Sequence, residues 1–207
     1  MHKMITRFET YNKILRSSRL ARDLRQAIDY IIKTDITPYQ EKNQKDLIVL
    51  PVSICSVPIT ILNKLTYTRI AEYDHNIKVI TLCYNFYTAH SPTDLFDTLV
   101  HEYGHAYLFN NNIDKKTAKN YFDQHEFFSQ MLSFLYGCRV FSAKRNSLYL
   151  WCRCKTINEQ KRIGLLNDFP TNYYKKYWYK HMVQLFKKFV KTYPPSKEFI
   201  KMAKTYG

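Results

Sequence analysis

Apolar positions in this chain recur at helical spacing near both ends and around residue 100, and in short alternating runs between. Residues 5–33 predict a long helix, with Phe8, Ile14, Leu20, Leu24, Ile28 and Ile31 among its periodic apolar positions. Arg16, Arg19, Arg22 and Arg25 fall three apart and drift around that helix, as a solvated face or a phosphate-contacting stripe. Pro38, Pro51 and Pro58 break the next segment, in which residues 47–50 (Leu-Ile-Val-Leu) predict a short strand. Residues 66–72 and 77–83 read as the arms of a β-hairpin turned at Tyr73-Asp74-His75-Asn76, the second arm alternating Ile77, Val79 and Thr81 with Lys78, Ile80 and Leu82.

A second helical pattern opens at Ser91-Pro92-Thr93-Asp94, a serine cap, a proline at the first helical position and an acid shortly after. Leu95, Phe96, Leu99, Val100, Tyr103, Ala106 and Tyr107 give it a broad apolar face, and Asn110-Asn111-Asn112 ends it. Residues 113–119 are a polar connection, after which another helix is expected to run to about Tyr136 and stop at Gly137. Residues 147–154 suggest a further strand. The remainder is helical and basic until Pro194-Pro195. The pattern predicts an α+β fold in a single domain, 1–207. Its parts are an N-terminal helix in 1–35, a central core in 45–155 and a basic helical C-terminal region in 156–207.

Composition sharpens this. The 207 residues include 18 Tyr and 13 Phe, enough for a well-buried core, and 4 Gly, too few for a glycine-rich phosphate loop. No apolar run approaches the length of a membrane span, so no membrane partner is expected. The segment Met1-His2-Lys3-Met4-Ile5-Thr6-Arg7 lacks the apolar core of a secretory signal. Five cysteines in no disulfide framework fit a reducing, cytoplasmic setting, including that of a viral or phage protein in its host. The formal net charge of +15 raises a nucleic acid or other polyanion as a partner. Lys175, Lys176, Lys180, Lys187 and Lys188, interleaved with aromatics, are the candidate contacts; the alternative is that those aromatics pack the core.

The chemistry sits in the central helix, where His101-Glu102-Tyr103-Gly104-His105 spells His-Glu-x-x-His. Residues four apart project from one helix face, so His101 and His105 can reach one cation. Glu102 lies beside that cation, placed to take a proton from a water. A catalytic zinc site needs a third protein ligand. The following helix offers Glu126, on a stripe with Asp123, Gln130 and Ser133, and His125, on a more apolar face. Glu126 is preferred and His125 is the alternative.

His101-Glu-Tyr-Gly-His105 followed by Glu126-Phe-Phe-Ser resembles the gluzincin metallopeptidases of the lethal-factor type, and the glycine before the second histidine resembles ImmA/IrrE-type peptidases. That likeness implies a zincin core, a bound Zn²⁺ and Glu126 as third ligand. Residues 92–109 are also similar to the SprT-like and Spartan group of DNA-associated zinc peptidases, a likeness that implies His125 instead. Their His-Gly-x-Glu-Phe context is missing here, and Asp123 stands where their histidine would fall. Tyr149-Leu-Trp-Cys152-Arg-Cys154 is similar to half of a zinc ribbon, with no second cysteine pair following. In zincins, a strand such as 77–83 lies beside the metal helix and pairs an extended peptide along its edge. The expected function is therefore a zinc metalloendopeptidase acting on a protein or peptide. The rival expectation is a non-catalytic structural or DNA- or protein-binding protein on a relict zincin fold, as viruses and phages use.

Overall fold

The computed structural model describes residues 19–33, 48–62, 71–83, 92–111, 121–136 and 178–194. Among them the chain is α+β, with four helices and one small mixed sheet. The elements in order are α1 (Arg19–Lys33), β1 (Ile48–Ile54), β2 (Val57–Leu62), β3 (Ala71–Asp74), β4 (Val79–Cys83), α2 (Pro92–Asn110), α3 (Tyr121–Tyr136) and α4 (Tyr179–Thr192). The part of the N-terminal helix before residue 19 and the strand expected at 147–154 lie outside the described residues, as does the connection 113–119.

The sheet runs β1-β2-β4-β3, antiparallel between β1 and β2, parallel between β2 and β4, and antiparallel between β3 and β4. Strand β2 is absent from the sequence reading, because Pro51 and Pro58 argue against strands and the turn carries no glycine or asparagine. The structure accommodates both prolines. Pro51 lies where the β1–β2 register shifts between Leu50 and Ser53, and Pro58 is at the second position of β2. Cys55 (φ 46°) and Ser56 (φ 72°) supply the two positive-φ residues that a tight two-residue hairpin needs. That left-handed pair is held from outside, since the Cys55 N–H donates to Asp23 Oδ2 of α1 at 2.8 Å.

The β3–β4 hairpin turns later than its sequence suggests. Tyr73 and Asp74 belong to β3, and the loop is 75–78. Asp74 Oδ1 accepts the N–H groups of Asn76 (2.8 Å) and Ile77 (3.4 Å), an Asx turn that leaves Ile77 48 % exposed. The expected edge strand is also corrected. Strand β4 is internal, paired on both sides, and all five of its residues are buried; β3 ends the sheet among the described residues.

Helix α2 is the centre of the fold, packing against α1, α3, β3 and β4. Leu95, Phe96, Leu99, Val100, Tyr103 and Ala106 are buried, as their spacing predicts. Helix α3 packs tightly on α2 at Gly104, where an added Cβ would come 2.6 Å from Ser129 Oγ and 2.7 Å from Ser129 Cα. A hydrogen is all that fits there. Helix α4 closes the other side of α3 through aromatic contacts. Phe127 meets Trp178 and Tyr179 at centroid distances of 5.7 and 5.5 Å, and Phe128 meets Phe186 and Phe189 edge-on at 5.9 and 6.0 Å. The Tyr136 hydroxyl donates to the Tyr193 carbonyl beyond the end of α4. No described helix is long and apolar enough to cross a membrane.

Candidate metal centre

Helices α2 and α3 bring three potential ligands together: His101, His105 and Glu126. One helical turn separates the two histidines, and their Nε2 atoms stand 3.1 Å apart. Glu126 reaches both from α3, Oε2 lying 3.4 Å from His101 Nε2 and Oε1 3.5 Å from His105 Nε2. Four donors set tetrahedrally around zinc at about 2.0–2.1 Å are about 3.3 Å from one another. The observed separations are near that edge length, a different Glu126 oxygen facing each histidine, and one donor atom from each of the three residues lies within 4.8 Å of the others. Two imidazoles and one carboxylate also suit zinc rather than calcium or magnesium, which favour oxygen donors. The Glu126 side chain is 36 % exposed against 23 % and 17 % for His101 and His105, so the cluster opens to solvent on the Glu126 side.

Protonation suits ligation at His105 and Glu126 and competes with it at His101. Burial, reinforced by the neighbouring His101, pulls His105 down to about 3, so it is a neutral donor at any ordinary pH. The hydrogen bond from His101 holds the Glu126 carboxyl below its usual range, against a smaller opposing effect of burial. Burial also lowers His101, but the Glu126 hydrogen bond and the charges of Glu102 and Glu126 outweigh it and leave that imidazole raised. Without a cation, a proton on His101 therefore occupies the place a metal would compete for.

Glu102 is 8 % exposed and is held by the backbone of β3, where the Tyr73 N–H donates to its carboxylate. Burial raises it to about 7, opposed by His101 and the Tyr73 hydrogen bond and assisted by Glu126 and Glu72. A carboxylate near neutrality is matched to general-base work. The Tyr73 contact was invisible in the sequence, since a main-chain donor carries no residue signature.

His125, the alternative third ligand, is not in the cluster. It is 4 % exposed and lies behind His105, Nδ1 to Nδ1 at 3.5 Å with the rings 12° from parallel. Tyr103 faces away from the cluster, hydrogen-bonded to Cys55 and packed on Phe189, and is no candidate to meet an oxyanion there. Of the basic C-terminal candidates, Lys180 and Lys188 are exposed and Lys187 is half-buried, while Lys175 and Lys176 lie outside the described residues. Tyr179, Phe186 and Phe189 between them are buried core, which removes them as base-stacking groups.

Comparison with protein-family models, with curated proteins and with solved structures finds no match for this chain.

Proposed function

We propose that this chain is a zincin-like, zinc-dependent metallopeptidase that hydrolyses peptide bonds in a protein or peptide substrate. The reading rests on one observation: the Nε2 atoms of His101 and His105 stand 3.1 Å apart with one Glu126 carboxylate oxygen 3.4 Å from the first and the other 3.5 Å from the second, beside a buried Glu102. His101 and His105 would hold the ion through Nε2 and Glu126 through its carboxylate. Zinc, when bound, supplies Lewis acidity that lowers the pKa of water toward neutrality and polarises a carbonyl. Neutral His105 and anionic Glu126 need lose no proton to act as ligands. The Glu102 carboxylate takes the proton of the attacking water and returns it to the leaving amine. The Tyr73 N–H fixes where that carboxylate sits and keeps part of its charge stabilised while it is ionised.

The test separates binding from turnover. His101→Ala is expected to abolish metal retention. Glu102→Gln is expected to keep the metal and lose hydrolysis of an unstructured protein such as casein. Metal binding with no turnover in the wild type, across a broad peptide library, would leave the non-catalytic alternative standing in its place.

A further inference from the structure

We infer that His125 is a positioning residue for His105: its imidazole accepts the Nδ1–H of His105 and so keeps the His105 Nε2 lone pair turned toward the metal. The inference rests on the metal reading above and adds a residue to it. His105 presents its two nitrogens to two different neighbours. Nε2 faces His101 Nε2 at 3.1 Å and Glu126 Oε1 at 3.5 Å, and Nδ1 faces His125 Nδ1 at 3.5 Å.

A neutral imidazole has one N–H and one lone pair. Once the Nε2 lone pair is given to a cation, the proton must sit on Nδ1, and a buried N–H without an acceptor is costly. The group facing that proton is His125 Nδ1. Both Nδ1 atoms cannot carry hydrogen across this contact, so His125 holds its own proton on Nε2. Metal loading therefore sets the direction of a hydrogen bond that either ring could donate in the metal-free protein.

The two α3 residues have complementary tasks. Consecutive helical residues point about 100° apart. Glu126 thus meets His105 on its metal side while His125 meets it from behind, and both are carried by the same turn of α3. The acceptor behind a metal-ligating histidine is more often a carboxylate, carbonyl or water. An imidazole in that place adds no negative charge, which leaves Glu126 as the one anion among the three ligands.

The experiment compares zinc affinity, by competition with a chromophoric chelator, for the wild type, His125→Phe and His125→Gln, with melting of each metal-free protein as a check on folding. His125→Phe keeps a ring but no acceptor and is expected to bind zinc about 10–100-fold more weakly. His125→Gln restores an acceptor oxygen and is expected to recover most of that loss. In parallel, long-range ¹H–¹⁵N correlation of the zinc-loaded wild type should show hydrogen on Nδ1 of His105 and on Nε2 of His125. That spectrum needs no variant and decides the matter even if His125→Phe does not fold. Wild-type affinity in a folded His125→Phe, or hydrogen on Nδ1 of His125 in the loaded protein, overturns the inference while the metal site stands. A wild type that binds no zinc overturns both.

Discussion

Replacing Gly104 by alanine tests how the site is held closed. A Cβ at 104 would lie 2.7 Å from the Ser129 backbone, where ordinary contact begins at 3.4 Å, so α3 must retreat by about 0.7 Å. Glu126 is one turn from Ser129 on the same helix and moves with it. Its distances to the two imidazoles, now 3.4 and 3.5 Å, would approach 4 Å, well beyond the tetrahedral edge of about 3.3 Å. In the metal-free protein the retreat drives α3 into its aromatic packing against α4, an overpacking cost of about 1–3 kcal/mol, offset in part by about 1 kcal/mol of helix preference for alanine over glycine. Unfolding by urea in chelator should therefore show a loss of up to about 2 kcal/mol. Zinc can bind tightly only by pulling α3 back, against an overpacking cost of about 1–3 kcal/mol. The affinity of Gly104→Ala should fall about 5- to 150-fold, read by chelator competition. Ser129→Ala, which removes only an Oγ lacking a hydrogen-bond partner among the described residues, should bind zinc like the wild type. A Gly104→Ala protein both about 1 kcal/mol more stable and unchanged in zinc affinity would show that the helices do not meet as described.

Three further outcomes follow from the same structure. Burial raises Glu102 to about 7, so in the metal-free protein its ionisation opposes folding as pH rises from about 4.5 through 7; Glu102→Gln should stabilise that state by about 1–3 kcal/mol at pH 8 and little at pH 4, by urea titration in chelator. Burial pushes the Cys55 thiol up to about 12, with Tyr103 opposing and Asp23 assisting, so peptide mapping after iodoacetamide at pH 8 should find Cys55 unmodified until the protein is unfolded. Because the aromatics of α4 are buried, polyanion binding through Lys180 and Lys188 would be electrostatic alone, falling with salt and showing no preference for single-stranded DNA over heparin; a strong preference of that kind would contradict this.

Legibility in the sequence followed the range of the interactions involved. Helices α2 and α3 could be read because their period, the Ser91-Pro92 start and the Asn110-Asn111 end are local. Strand β2 could not, because its turn has no local signal and is secured by Asp23, thirty-two residues away. The zincin resemblance implies an edge at 77–83, whereas β4 is internal; Val79, Ile80 and Leu82 place apolar groups on both faces, the mark of an internal strand. His101 and His105 were legible from spacing on one helix. Choosing between His125 and Glu126 was not, because neighbouring residues on α3 differ only in direction and the crossing with α2 decides which one faces the pair.

The central claim is that three side chains on two helices close on a single ion. Zinc content per chain, measured by plasma mass spectrometry after reconstitution and gel filtration, tests it most directly for the wild type, His101→Ala and Glu126→Ala. The account predicts one zinc per wild-type chain and almost none in either variant. A wild type that emerges without zinc, or variants that keep a full equivalent, would contradict it.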